Sequence, residues 1–413
     1  MGVDVRTRVD GELRPIELDE FFGRDLPAAL EGAGERLAPT LDFLPLRPLT
    51  IVVGESGWLL RVDGDRAVVA PAGPLTGDLA GVVLRITVDQ LGLLVADQVT
   101  PMGWLAGGTL DIEGGRLADV LNWWLVLRAS LDGTTPHVPG AVALTDERGV
   151  PLDLGRAFAP DDPPEEMAAF LVQAGYLHVS GLFTEAEMAA VSADMDRAAP
   201  RYAKGDGRSW WAQLDDGSDA LVRMQGFDRE SPAVAELVDD DRLQGLATLT
   251  GDGHRFGRRS DNRIEALFKP IGVVEGISDI PWHKDCSLGR HSYDCCAVTV
   301  GISVTGADAT SGQLRVVAGS HRALVWPAPV LQPGLDLPVV DLATRTGDIT
   351  VHLSCTLHMA QPPVTTPRRV MYTSFGLPSL APEAATEARR RIGAMRESAP
   401  VTVSQPPSPV APR

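Results

Sequence analysis

The chain is short of positive charge. It carries 37 Lys and Arg against 55 Asp and Glu, for a formal net charge of -18. Gripping a phosphate backbone needs clustered cations, so no nucleic-acid partner is expected. The Arg runs, Arg258-Arg259 and Arg389-Arg390-Arg391, read as solvated faces. Cysteine is also scarce. All four cysteines fall in the C-terminal half, with Cys295 and Cys296 adjacent, which is not the pattern of a disulfide framework. A reducing cytoplasm is the expected setting. No apolar run reaches the roughly 20 residues of a membrane span. The opening Met1-Gly2-Val3-Asp4-Val5-Arg6 has no signal-peptide apolar region. No internal repeat is present, and nothing in the sequence specifies an oligomeric state.

What is there is enough for a folded protein of two domains. The chain has 413 residues, 44% of them hydrophobic and 22% charged, so it can bury a sizeable core. The expected division is a small N-terminal α+β domain over 1–150, a larger β-rich domain over 151–395 and a Pro-rich disordered tail over 396–413. In the first part, a helix is expected over Leu26 to Leu37. Leu49 to Val53, Gly57 to Val62 and Arg66 to Val69 read as strands, with Val62-Asp63-Gly64-Asp65 as a hairpin turn. Further strands are expected at Gly81 to Ile86 and Gly107 to Ile112. Thr87 and Gln90 form a capping box, and the helix they open puts Leu91, Leu94 and Val95 on one face. A second helix carries Leu117, Val120, Leu121, Trp124 and Leu125 at helical spacing.

Residues 134 to 163 are rich in Pro, Gly and Asp and read as a linker or wrapping segment. A helix over Glu165 to Leu171, a strand over Gly175 to Val179 and a capping box at Thr184 and Glu187 follow. Strands are then expected at Ile264 to Phe268, Ala297 to Val304, Gly312 to Val317, Gly347 to His352 and Arg369 to Phe375. Many short strands between Gly and Pro turns suggest a double-sheet jelly roll, or double-stranded β-helix, with flanking helices.

Within this part lies Pro281-Trp282-His283-Lys284-Asp285. In extended backbone His283 and Asp285 share a face, and Lys284 is expected to point to an exposed side. Two distal histidines follow, His352 and His358. Two His and one carboxylate can hold one face of an Fe(II) ion and leave positions open for co-substrate and oxygen. His321, His254, His291, His137 and His178 read as surface or structural residues, and Cys286 as a small buried side chain near the ligands.

Two family resemblances stand on these stretches. Residues 45 to 133, with Gly107-Gly108-Thr109-Leu110-Asp111-Ile112-Glu113-Gly114 before a leucine-rich helix, resemble the sterol-carrier-protein-2-like module. That resemblance implies a lipid tunnel between sheet and helices; the same apolar faces read equally well as ordinary core. Residues 167 to 375 resemble the phytanoyl-CoA dioxygenase family. The resemblance is carried by Pro281 to Asp285, by Ser311-Gly312-Gln313-Leu314-Arg315-Val316-Val317-Ala318-Gly319-Ser320-His321-Arg322, by Gly347-Asp348, and by His358 with Arg369 eleven residues on.

The second resemblance implies a dioxygenase using Fe(II), 2-oxoglutarate and O2. Its metal ligands would be His283, Asp285 and His358, the spacing to Arg369 favouring His358 over His352. Arg369 would anchor the far carboxylate of the co-substrate. Arg368 would point to the opposite face, so only one of the two serves. Lys269, Thr299 and Ser303 are further candidates for the co-substrate pocket, because Ala360 stands where relatives often carry Ser. Trp210, Trp211, Arg223 and Gln225 fall in a substrate-covering segment. Asp285 disfavours the halogenating variant. The substrate class implied is a small metabolite, hydrophobic, carrier-linked or a natural product, hydroxylated at an unactivated C–H bond. The alternatives are a non-catalytic lipid carrier and a Zn(II) hydrolase on the same ligands.

Overall fold

Alternation of apolar residues sends the chain into separate sheet systems. The computed structural model describes residues 15–75, 79, 81–256, 262–276, 278–286, 297–327 and 329–377. The expected tail, Cys295 and Cys296, His291 and both Arg runs lie outside the described residues.

The N-terminal unit is built on a five-stranded sheet. Its strands are β1 (Leu49–Val53), β2 (Ser56–Asp63), β3 (Arg66–Pro71), β4 (Val82–Ile86) and β5 (Asp111–Glu113), in the spatial order β3-β2-β1-β4-β5. Only β1 and β4 pair in parallel. The β2–β3 hairpin closes with Asp63 opposite Arg66, and Gly64 takes the left-handed conformation the turn requires, at φ +62°. The expected single helix from Leu26 is broken in two, Leu26–Gly32 and Gly34–Phe43. The capping box at Thr87 is formed, Gln90 N donating to Thr87 Oγ1 at 3.1 Å and Thr87 N to Gln90 Oε1 at 2.8 Å.

One expected strand is shorter than anticipated. Thr100 caps, and Pro101 opens, a helix over Pro101–Ala106, a combination that favours helix initiation. The strand is thereby confined to Asp111–Glu113. The helix Leu117–Asp132 is buried almost all round, with Leu121, Trp123, Trp124 and Leu125 at 1% exposure or less. One continuous core joins it to the sheet, to Leu91 and Leu94, and to Trp58 and Trp104. Leu324 and Trp326, from far along the chain, complete that core.

The second unit opens with helix Pro164–Ala174, β6 (Tyr176–Val179) and helix Glu185–Ala198. Then come β7 (Ser209–Leu214), β8 (Asp219–Met224), β9 (Arg255–Phe256), β10 (Glu265–Lys269), β11 (Val273–Glu275) and β12 (Ala297–Ser303). The chain continues through β13 (Leu314–Val317), β14 (Val339–Leu342), β15 (Ile349–Leu353), β16 (His358–Ala360) and β17 (Arg368–Gly376). A nine-stranded antiparallel sheet runs β11-β7-β8-β10-β17-β12-β15-β6, with β9 beside β17; a smaller sheet runs β14-β13-β16. Residues of both sheets line a narrow cavity between them, Gly301, Ser303 and Arg368 from one, Leu314 and Leu342 from the other.

The period of two divides the large sheet into faces. Val298, Val300 and Ile302 of β12 and Met371 and Phe375 of β17 belong to the core cluster that includes the helices. Thr299, Gly301 and Ser303 lie on the other face, opposite Ser374, Tyr372 and Val370 of β17. This second face carries the polar residues.

At Gly347, φ is +86°, and an added Cβ would lie 1.9 Å from the backbone oxygen of Phe183. At Gly64 an added Cβ would meet nothing within 4 Å. Gly64→Ala is therefore expected to cost the ~1–2 kcal/mol of left-handed strain alone, and Gly347→Ala distinctly more. Thermal melts of the two variants check this, and equal losses would contradict it.

Candidate metal centre

The strap before β12 and the short strand β16 meet in a single antiparallel bridge. His283 N donates to His358 O, and His358 N to His283 O, each at 2.9 Å. A bridged pair has side chains on one face, and the two imidazole centroids lie 4.2 Å apart. Asp285, two residues on, falls beside them. One ligand atom from each of His283, Asp285 and His358 lies within 4.8 Å of the others.

Each of the two imidazoles is oriented from behind. His283 Nδ1 faces Pro281 O at 2.7 Å, and His358 Nδ1 faces Thr356 O at 2.9 Å. A carbonyl only accepts, so each Nδ1 carries a proton and each Nε2 is the ring atom turned inward. The Nε2 atoms stand 3.5 and 3.7 Å from Asp285 Oδ1. Thr299 donates to the other oxygen, Oδ2, at 2.8 Å. Burial by itself would raise the Asp285 carboxyl, but His358, His283 and His352 overcome it and hold it well below the usual carboxylate range. Burial, then His352 and His283, keep His358 well below the usual imidazole value. The cluster thus offers two imidazole nitrogens and a carboxylate, the donor set a divalent transition metal takes.

His352 is the third imidazole of the cluster. It is 1% exposed, its Nε2 is 3.4 Å from Asp285 Oδ2, and its ring lies 4.1 Å from that of His358. Neither of its nitrogens makes a hydrogen bond. It lacks the backbone carbonyl that fixes the other two.

The paired arginines take opposite faces, and the order is the reverse of the expected one. Arg369 does not face the cluster. Its guanidinium donates to Ser192 O at 2.8 Å, Ser192 Oγ at 2.9 Å and Asp196 Oδ1 at 2.7 Å on helix Glu185–Ala198. Arg368 points inward, is 5% exposed, and leaves Nε and Nη2 without a hydrogen bond. The reason is strand alternation: Met371 and Phe375 face the helices, so Arg369 goes with them and Arg368 goes with Val370 and Tyr372. That pattern was present in the sequence and outranks the spacing from His358.

Lys284 also departs from expectation. It is fully buried, not exposed, and donates to Ser320 O at 3.0 Å and Ala323 O at 3.3 Å. Lys269 lies opposite Arg368 in the β10–β17 register. Its ammonium bonds Ser278 O and sits 3.2 Å from Asp279 Oδ1. Burial pulls its pKa down to about 8, against the pull of Asp279. Thr299 is committed to Asp285, and Ser303 Oγ lies 2.8 Å from Thr344 Oγ1.

The expected covering segment is a hairpin, β7–β8. Arg223 shares the inner face through its register with Leu267 and Val370. It lies 4.1 Å over the Trp210 ring and 3.1 Å from Glu265, to which Gln225 also donates. Trp211 follows a register shift and turns its indole N–H to Ser209. Sequence reasoning did not single out Glu265 or Asp279; isolated carboxylates in a chain this acidic carry no local signal. Cys286 and Cys355, both buried, have sulfurs 3.7 Å apart just behind the cluster.

The orientation of the imidazoles generates a prediction. His283→Ala, Asp285→Ala and His358→Ala are each expected to abolish tight Fe(II) or Co(II) binding, and His352→Ala to retain most of it. Equilibrium dialysis with metal analysis checks this; loss in His352→Ala with retention in His358→Ala would reverse the distal assignment.

Residues 171–371 match the model of the family described as Phytanoyl-CoA dioxygenase (PhyH). No curated protein matches the chain. Among solved structures, AviO1 from Streptomyces viridochromogenes Tue57 is 18% identical, with a TM-score of 0.41 over 52% of this chain and 96% of that one. The non-heme alpha ketoglutarate dependent epimerase SnoN from nogalamycin biosynthesis is 21% identical, with a TM-score of 0.41 over 52% and 82%. EctD from S. alaskensis with 2-oxoglutarate and 5-hydroxyectoine is 19% identical, with a TM-score of 0.41 over 54% and 80%. None of the described helices is long and apolar enough to cross a membrane. Residues 171–371, the stretch similar to the phytanoyl-CoA dioxygenase family, hold the whole His-Asp-His cluster and Arg368.

Proposed function

We propose that the protein is an Fe(II)- and 2-oxoglutarate-dependent dioxygenase that oxidises a small molecule, with hydroxylation of an unactivated C–H bond as its reaction. The observation that carries the reading is a pair of unsatisfied chemistries on one face. At one end His283, Asp285 and His358 converge. At the other, Arg368 presents an unpartnered guanidinium edge in a buried site. Gly301 lies between them, where a Cβ would come within 2.7 Å of Thr350 Oγ1 and 3.0 Å of Tyr372. The missing side chain leaves a cradle there.

These residues fit the group. His283, Asp285 and His358 would hold the iron, leaving positions open for a 2-oxo acid and oxygen. Bound iron supplies the oxygen chemistry, coupling oxidative decarboxylation of 2-oxoglutarate to oxidation of the substrate. Arg368 would take the far carboxylate, its planar fork matching two oxygens at once. Lys269 adds a second positive charge, partly offset by Asp279. Thr299 holds Asp285 in place, as supporting hydrogen bonds do around metal ligands. Trp210, Arg223 and Gln225, ordered through Glu265, would form the wall the substrate meets, with Trp211 on its rim. A Zn(II) hydrolase has no use for a buried arginine beside its metal, and a lipid carrier has none for the cluster. The deciding experiment is turnover of 2-oxoglutarate to succinate and CO2 that requires both Fe(II) and O2; none under any condition would sink the reading.

The anchor assignment is separately testable. Truncating one partner of a buried charge pair costs about 2–5 kcal/mol. Arg368→Ala is expected to raise KM for 2-oxoglutarate about 30-fold or more, and Arg369→Ala to leave it near wild type. The opposite ranking would restore Arg369.

Lys269 adds a pH dependence. Its pKa is lowered to about 8, so its charge is present below that pH and lost as pH rises through it. The kcat/KM for 2-oxoglutarate should fall above about pH 8, since that quantity reports groups of the free enzyme. Lys269→Met should remove this alkaline limb; an unchanged limb in the variant would assign it to another group.

A further inference from the structure

The segment leaving the Gly319–Arg322 turn has two faces, and they touch different domains. Ala323 and Val325 pack with Trp282 and Leu357, the residues just before His283 and His358. Leu324 and Trp326, alternating with them, lie in the N-terminal core at 4% and 3% exposure. This is the period of two of extended backbone, used to bind two cores at once.

Hydrogen bonds reinforce both faces. On the metal side, Lys284, between two of the ligands, donates to Ser320 O and Ala323 O. Ser320 Oγ accepts from Leu357 N at 2.8 Å, next to His358. On the other side, His137 N donates to Leu324 O at 3.0 Å. The Trp326 indole N–H donates to Asn122 Oδ1 at 3.1 Å on the buried helix Leu117–Asp132, and Asn122 Nδ2 donates to Pro45 O at 3.2 Å. One short stretch thus holds the strap with His283 and Asp285, the strand with His358, and the N-terminal unit.

We propose that residues 323–326 form a strut through which the N-terminal unit sets the positions of the metal ligands, with Lys284 and Trp326 as positioning residues. The N-terminal unit is then part of the metal centre's support and not a detachable module. This rests on the reading of His283, Asp285 and His358 as metal ligands. The rival is simple docking, in which the two units share a surface and the cluster is indifferent to it.

The test uses the full chain and Co(II) alone, titrated anaerobically and followed by its ligand-field absorption. The variants are Lys284→Met, Trp326→Leu and Asn122→Ala, with Arg61→Ala, half-buried on β2 and paired with Asp63, as control. Supporting groups around metal ligands are typically worth about 10- to 100-fold in affinity. Lys284→Met and Trp326→Leu are expected to weaken Co(II) binding by that range and to alter the absorption band, Asn122→Ala to shift both less in the same direction, and Arg61→Ala to change neither. A merely structural role would lower thermal stability and leave affinity and band shape of the folded variant as in wild type, and that result overturns the proposal. If Trp326→Leu fails to fold, Asn122→Ala decides, because it removes only one amide. Wild-type protein that binds no Co(II) overturns the metal reading and this proposal with it. Variants that match a Co(II)-binding wild type overturn the strut alone.

Discussion

The constraint on which the centre depends is the reciprocal pair of backbone hydrogen bonds between His283 and His358. Two residues 75 positions apart in sequence are brought to one spacing by main-chain atoms alone. Nothing about the imidazoles themselves would hold them there. Three polar rings and a carboxylate packed together are costly unless each is satisfied or charged in a compensating way. The backbone bridge carries that cost, because its own bonds would be lost if the rings separated. Pro281 O and Thr356 O then turn each ring. Geometry is set by the main chain and orientation by the carbonyls two residues before each ring.

From that end the inner face reads as a graded strip. It begins with nitrogen and carboxylate donors, passes the gap at Gly301, and ends in the cations Arg368 and Lys269. Hydroxyl groups along it are mostly spoken for: Thr299 by Asp285, Ser303 by Thr344. The two ends remain chemically open because their partners are missing from the protein itself. A dicarboxylate bearing a keto group has the matching order of functions.

Much of this was legible in the sequence, and the failures are physical ones. His-x-Asp on extended backbone places two side chains on one face, and short-range alternation is what a sequence records best. The capping boxes at Thr87 and Thr184 were readable because both partners lie within one turn. Arg369 was chosen by its distance from His358 in the chain, yet a loop lies between them, and loops do not preserve alternation. Met371 and Phe375, read as the buried face, would have put Arg368 inside. Lys284 is expected on an exposed side because alternation turns it away from the two ligands that flank it; its acceptors, Ser320 O and Ala323 O, are backbone atoms with no residue signature. Trp326 gave no sign at all of its destination. An apolar stretch before Pro327 reads as any strand would, and the partner Asn122 is 204 residues away.

That last separation bears on how the chain comes to be folded. Synthesis proceeds from the N-terminus, and domains generally form in the order they emerge. Here the first unit emerges with part of its core still to come, because Leu324 and Trp326 belong to it but are translated long after its own helices and strands. Until about residue 326 has cleared the ribosome, helix Leu117–Asp132 has an apolar flank open to water and to other nascent chains. The N-terminal unit is in this sense a socket awaiting its plug, and its final consolidation is tied to the arrival of the extended segment that also packs against Trp282 and Leu357. A long-range closure of this kind makes for slow final docking. It also makes completion of one core a checkpoint on the assembly of the other.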